Sequence, residues 1–121
     1  MISEEIIDKA YDEIENSFSP YVNPYMIEIL KSIIEDKNTD TRITGKNQDI
    51  TIARLAGEDI MNYMFRYACG DNASKSKFVI KPIEYKDLIN ITNKIIGILI
   101  GDEDGKLTPV YWQVQNHRWK S

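Results

Sequence analysis

The sequence predicts an α+β fold, with helices in the first half of the chain and a small sheet in the second. Through most of the first half, apolar residues recur at helical spacing. Near the C-terminus they alternate with polar residues instead, a period that is typical of a half-buried strand. We therefore expect an N-terminal helical hairpin and a long third helix, packed on a small, mainly antiparallel C-terminal sheet.

The length of the chain limits it to one domain. It has 121 residues, of which 42% are apolar, and this is enough for one core but not for a second. We expect a single domain over 1–121. Within it, the sequence predicts an acidic helical hairpin at 1–36, an exposed loop at 37–48, and a central helix followed by a C-terminal hairpin at 49–121.

The first two helices have clear start signals. Ser3 is a good N-cap for a first helix that ends near Ser19 and Pro20. Its apolar positions lie at helical spacing: Ile6, Ile7, Ala10, Ile14 and Phe18. Asn23 followed by Pro24 predicts the start of a second helix that reaches about Asp36. Its apolar stripe is Met26, Ile27, Leu30, Ile33 and Ile34. Together they predict a helical hairpin.

A third helix is predicted from about Asp49 to Cys69, with Gly70 as its C-cap. One face carries Ala53, Ala56, Ile60, Met64 and Tyr67. Gly57 inside this helix costs about 1 kcal/mol relative to Ala, which a closely crossing element would explain. A helix-turn-helix is the alternative, but the polar Glu58 follows the glycine where that motif needs an apolar residue. We favour one continuous helix.

The second half of the chain carries the strand signals. Residues 78–80 read as a strand that Pro82 ends or confines to an edge. Apolar residues at 88, 91, 95 and 99 fit a helix, whereas the Ile-rich run 95–100 also fits a strand. We favour a short helix at 85–92 and then a hairpin, turning at 101–105, whose second strand is 107–115.

No motif for catalysis or for a cofactor survives inspection. Gly45 and Lys46 lack the other residues of a phosphate loop. The acidic run at 102–104 lacks the first and last carboxylates of a calcium loop. His117 is the only histidine and Cys69 the only cysteine, too few to define a metal site. The sequence thus predicts no catalytic residue, no metal and no cofactor.

The strongest functional signal is the uneven distribution of charge. Residues 1–36 contain nine carboxylates against two lysines, whereas the other residues are mildly basic. Four acidic residues fall on one ridge of the first helix: Glu4, Asp8, Asp12 and Glu15. We predict that this acidic strip docks on a basic surface of a partner. The alternative is an ordinary solvated helix face.

The run 111–120 is the densest aromatic stretch and ends with cations among its aromatic residues. Its predicted partner-binding residues are Tyr111, Trp112, Arg118 and Trp119. Such residues stack bases, anchor protein interfaces or fill a core. If Tyr111 and Trp112 lie on an exposed edge strand, they could also pair two copies of the chain in a homodimer.

These observations favour a small, soluble, cytoplasmic protein that binds another protein and occludes it. Inhibitors, immunity proteins and accessory proteins of phages or mobile elements act in this way, by an acidic helical face or an edge strand.

A nucleic-acid binder is the first alternative, disfavoured by a pI near 5.0. Its contacts would be Arg42, Lys46, Arg54, Arg66, Arg118 and Lys120. A small enzyme with an unrecognised site is the second. No membrane association is predicted, because no apolar run is long enough to span a bilayer.

Overall fold

The structure, a computed structural model, describes residues 1–101. Its elements, in chain order, are α1 (Glu4–Phe18), α2 (Pro24–Asn38), α3 (Gln48–Ala68), a 3₁₀ helix (Gly70–Lys75) and α4 (Tyr85–Ile100). These residues contain no β-strand and only two isolated β-bridges. The predicted α+β fold is therefore wrong for the described part of the chain, which is helical.

The predicted starts of α1 and α2 are confirmed. The Ser3 hydroxyl accepts a hydrogen bond from the backbone N–H of Ile6, at 3.3 Å. The Asn23 side chain accepts one from Met26, at 3.0 Å, and Pro24 is the first residue of α2. Both caps satisfy N–H groups that a helix cannot bond internally. The apolar stripes of the two helices are buried, except for Ile6, which is half-buried.

α3 is one continuous helix, as favoured, so the helix-turn-helix interpretation is wrong. It packs against α2 on one side and α4 on the other, and α4 also contacts α1. The proposed reason for Gly57 is confirmed. A Cβ atom added there would clash with the side chain of Ile96 on α4, so the glycine allows these two helices to cross closely.

The predicted short helix and strand at 85–100 are wrong, because α4 runs unbroken through this segment. Residues at helical spacing are buried along one side of it: Leu88, Thr92, Ile95, Ile96 and Leu99. Isoleucine disfavours helix by a few tenths of a kcal/mol, but burying its side chain contributes about 1.5–3 kcal/mol. Burial of these side chains therefore outweighs the low helix propensity of isoleucine, and the segment is helical. Gly101 ends α4 in the left-handed conformation, with φ +71°.

The predicted strand at 78–80 is an irregular segment instead. It forms a single antiparallel bridge, in which Val79 lies opposite Val22 in the turn between α1 and α2. The N–H of Asn23 donates to the carbonyl of Phe78, at 2.9 Å, and the N–H of Ile80 to that of Tyr21, at 2.8 Å. The turn between α1 and α2 is too short to extend this single bridge into a ladder of strand hydrogen bonds. Pro82 also has no N–H to donate to such a ladder. The predicted turn and strand at 102–115 lie outside the described residues.

A buried amide fixes the start of α1 to the end of α2. The side chain of Asn38 accepts a hydrogen bond from the N–H of Ile2, at 2.7 Å, and donates one to its carbonyl, at 3.1 Å. Ile2 itself is only 2% exposed. These two hydrogen bonds, which we call the Asn38 clamp, therefore hold the Ile2 side chain in the core, just before the acidic strip begins at Glu4.

We expect Gly57→Ala to lower the free energy of unfolding by about 1 kcal/mol. The gain in helix propensity is about 1 kcal/mol, but overpacking against Ile96 costs about 1–3 kcal/mol. Urea unfolding measures the difference. When combined with Ile96→Ala, which makes room for the new methyl group, the loss should be smaller than the sum of the two single losses. Additive losses would mean that the helices do not cross closely here.

We expect Asn38→Ala to destabilise the protein by about 1–3 kcal/mol, because it leaves two buried backbone groups of Ile2 without partners. Asn90→Ala is the matched control, since Asn90 is exposed on α4, and we expect it to change stability by less than about 0.5 kcal/mol. Thermal or urea unfolding reports both values. Equal effects of the two variants would contradict the role assigned to the clamp.

Candidate functional site

The four residues of the predicted acidic strip are exposed together along α1. Their spacing places the Cβ atoms of successive members roughly 5–6 Å apart. Glu15 pairs with Lys31 of α2, at 3.3 Å. Glu4, Asp8 and Asp12 form no ion pair with any residue of 1–101. Three of the four carboxylates in the strip are therefore not paired with a cation of the described residues.

α2 adds two further carboxylates to the same surface, and Tyr11 of α1 lies among them. Burial raises the pKa of Tyr11, and the negative charges of Glu35, Asp8 and Glu28 raise it further. These effects require carboxylates from both helices to surround one phenol. We define the anionic face as six exposed acids, four from α1 and two from α2: Glu4, Asp8, Asp12, Glu15, Glu28 and Glu35.

The anionic face already binds one cation, which belongs to the chain itself. The Lys31 ammonium lies 3.3 Å from Glu15, 3.4 Å from Glu28 and 5.8 Å from the centre of the Tyr11 ring. Burial lowers the pKa of Lys31, but the hydrogen bonds and charges of the two glutamates outweigh it and leave the pKa raised. This surface thus stabilises an ammonium by carboxylate and ring contacts together.

Beyond Lys31 the face contains a groove of about 290 Å³ between α1 and α2. Its apolar lining comes from the buried Ile2 and Ile7 and from the Tyr11 ring. Carboxylates also line it, from Glu4, Asp8 and Glu35. An apolar lining beside carboxylates matches a lysine or arginine side chain, whose methylenes pack while its charged end pairs.

Among residues 37–101, no cation forms an ion pair with the anionic face. Lys94 of α4 reaches α1 but pairs with Glu13, at 3.2 Å, and Glu13 is not part of the face. Lys37 pairs with Asp59, at 3.2 Å. The amino group of Met1 pairs with Asp49, at 3.5 Å. Negative charge therefore remains concentrated on one side of the hairpin.

The cations of the nucleic-acid alternative are not gathered by the fold. Arg42 forms an ion pair with Asp40, at 2.8 Å, and its hydrogen bonds lower the pKa of that carboxyl to about 2. Arg54 and Arg66 are both exposed on α3, but twelve residues separate them, which is about 18 Å along a helix. Arg118 and Lys120 lie outside the described residues. Lys46 is exposed in the segment before α3. Arg54 and Arg66 are thus too far apart to form one compact basic patch.

Several predicted site residues cannot be placed. Tyr111, Trp112, Arg118 and Trp119 lie outside residues 1–101, so their roles and the edge-paired homodimer remain predictions.

Within 1–101, no group of three or more His, Cys, Asp or Glu side chains is arranged to hold a metal ion. Burial raises the pKa of the Cys69 thiol, which leaves less of the reactive thiolate at neutral pH.

Sequence analysis missed a row of four aromatic rings. We define the aromatic row as Tyr63 and Tyr67 of α3, Phe78, and Tyr25 of α2. The ring centres are 5.7 Å apart for Tyr63 and Tyr67, 5.6 Å for Tyr67 and Phe78, and 5.8 Å for Phe78 and Tyr25. The four-residue spacing of Tyr63 and Tyr67 was a detectable signal. The other two rings join them only through the tertiary fold.

Comparisons with known proteins add no family to this description. No protein-family model, curated protein or solved structure matches the chain. None of the helices within residues 1–101 is both long enough and apolar enough to cross a membrane.

Proposed function

We propose that this protein is a non-enzymatic binding protein that docks its anionic face on a basic surface of another protein and thereby occludes that surface. Inhibitors, immunity proteins and accessory proteins of phages or mobile elements act in this way. The observation that carries the proposal is the groove between α1 and α2. It combines an apolar lining with three carboxylates that have no ion-pair partner among the described residues.

In this proposal a lysine or arginine of the partner enters the groove. Its methylenes pack on Ile7 and the Tyr11 ring, and its charged end pairs with Asp8 or Glu35. Lys31 supports this arrangement from within the chain, because it uses the neighbouring part of the face in the same way. A buried stem with a paired charge contributes more than an exposed ion pair, which is worth about 0.2–1 kcal/mol.

The remaining carboxylates contribute mainly to the rate of association. Asp12 and Glu4 extend the negative field along the hairpin, and such a field steers a basic partner toward the correct orientation. This attraction is screened within about 10 Å at moderate salt, so association is expected to slow as salt rises. A basic surface of this kind is often one that binds nucleic acid, which the protein would then block. A cytoplasmic location fits the single cysteine.

The test begins with a pulldown from a lysate of the source cell at low salt, after which the captured protein is identified and purified. We then compare two triple variants with the wild type by calorimetry. One is Glu4→Lys, Asp8→Lys and Glu35→Lys, at the groove. The control is Asp36→Lys, Asp71→Lys and Glu84→Lys, which makes the same change in charge at exposed positions outside the face. Each set includes one acid at a helix start.

We expect the groove variant to weaken binding about 100-fold, because three attractive contacts become repulsive at roughly 1 kcal/mol each. The control should weaken it by less than about 5-fold, through the loss of general attraction alone. Circular dichroism checks that both variants keep the helical fold. Equal losses in the two variants, or affinity that does not change with salt, would contradict docking through the anionic face.

A further inference from the structure

A second concave surface lies on another side of α2, apart from the anionic face. It is a cleft of about 450 Å³ between α2 and α3. Its lining residues are Ile33, Asp59, Asn62, Tyr63, Arg66 and Tyr67. Five of them recur along one face of α3, with spacings of three, one, three and one residues. The aromatic row continues the cleft through Phe78 to Tyr25, whose side chain is 68% exposed.

The polar groups of this cleft are mostly hydrogen-bond donors that are free to bind a ligand. The hydroxyls of Tyr63 and Tyr67, the Asn62 amide and the Arg66 guanidinium make no hydrogen bond to any other residue of 1–101. The one carboxylate, Asp59, is paired with Lys37. Arg66 lies against the Tyr67 ring, 6.0 Å from its centre, and has no carboxylate partner in the described part of the chain.

We propose that this cleft binds an extended, proline-rich segment of a protein, with an acidic residue of that segment placed beside Arg66. A proline ring is flat enough to stack on a tyrosine ring, and its nitrogen has no hydrogen to donate. The backbone of a polyproline II helix makes no internal hydrogen bonds, so its carbonyls are available as acceptors. Such a ligand offers acceptors where this cleft offers donors.

Charge and shape favour this ligand over the other candidates. A nucleic-acid strand would bring a row of phosphates to a cleft with one unpaired cation and a carboxylate nearby, which is unfavourable. An amphipathic helix would need an apolar groove several residues long, whereas among residues 1–101 Ile33 is the one aliphatic residue of the lining. Grooves that bind polyproline segments are lined by aromatic side chains, as the aromatic row lines this surface.

The length of the row sets the length of the ligand. Three centre-to-centre separations of 5.6–5.8 Å give a row of at most about 17 Å. A polyproline II helix rises about 3.1 Å per residue, so five or six residues cover the row. Arg66 lies next to Tyr67, in the middle of the row rather than at an end. The acidic residue of the ligand therefore lies within the segment or immediately next to it.

The experiment uses the full chain and two fluorescein-labelled peptides of about ten residues, a length that exceeds the row. Both contain a proline-rich sequence with two charged positions among the prolines, filled by aspartate in one peptide and by lysine in the other. Fluorescence anisotropy measures binding. We expect the aspartate peptide to bind saturably below about 1 mM, a usual range for a short segment that binds a shallow groove.

Variants then localise the binding. We expect Tyr63→Ala to weaken it at least about 10-fold, because Tyr63 lines the cleft itself and an aromatic ring in a small interface carries much of the affinity. Phe65→Ala is the matched control, since Phe65 is also on α3 and 38% exposed, and its ring contacts Tyr85, which is not part of the row. It should change affinity by less than about 2-fold. Arg66→Gln should weaken the aspartate peptide about 5-fold but should not weaken the lysine peptide, because it removes an attraction in the first case and a repulsion in the second.

The proposal does not depend on the anionic face, so the groove variant Glu4→Lys, Asp8→Lys and Glu35→Lys should bind the aspartate peptide as the wild type does. Circular dichroism of every variant confirms the helical fold, and Tyr63→Phe, which keeps the ring, should retain most of the affinity. Absence of saturable binding by the wild type would overturn the proposal. So would equal losses in Tyr63→Ala and Phe65→Ala, or tighter binding of a single-stranded oligothymidine than of the aspartate peptide.

Discussion

The close crossing of α3 and α4 at Gly57 is the constraint on which the arrangement of the other helices depends. A side chain at this position would meet Ile96, so a larger residue would push the two helices apart. Because they pack closely, the Ile-rich side of α4 is covered by α3 and α1. α2 then covers the opposite side of α3. Every apolar stripe thus has a partner, and the polar sides of α1 and α2 are left facing outward.

The hairpin brings two sets of carboxylates together without any benefit to stability. Because α1 and α2 are antiparallel, Glu15 lies near Lys31 and Tyr11 lies near Glu35. Each pair of like charges one turn apart costs a few tenths of a kcal/mol. Lys31 offsets part of this repulsion, but it does not reach the groove. The core supplies the stability that tolerates this concentration of charge, and the proposed docking on a basic partner would use it.

α2 belongs to both of the surfaces described above. Glu28 and Glu35 extend the anionic face, whereas Tyr25 and Ile33 contribute to the aromatic row and its cleft. The two surfaces have different chemistry, since one attracts cations and the other offers rings and hydrogen-bond donors. A helix that separates two such surfaces would let one protein contact two segments of the same partner, or two partners, at once. The segment 78–80 matters here because its bridge to the turn before α2 places Phe78 beside Tyr25.

The sequence by itself determined α1 and α2 through their N-caps and apolar spacing, and α3 through its apolar spacing alone, because these are local signals. It also identified the strip on α1 and the reason for Gly57. It did not determine residues 85–100, where isoleucine favours a strand by propensity but the apolar spacing also fits a helix, and only burial against α3 and α1 selects the helix. Likewise, a spacing rule finds two rings on one helix but cannot find Phe78 or Tyr25. These residues, like the α2 carboxylates beside Asp8, come together only when distant segments pack, and tertiary structure alone decides that.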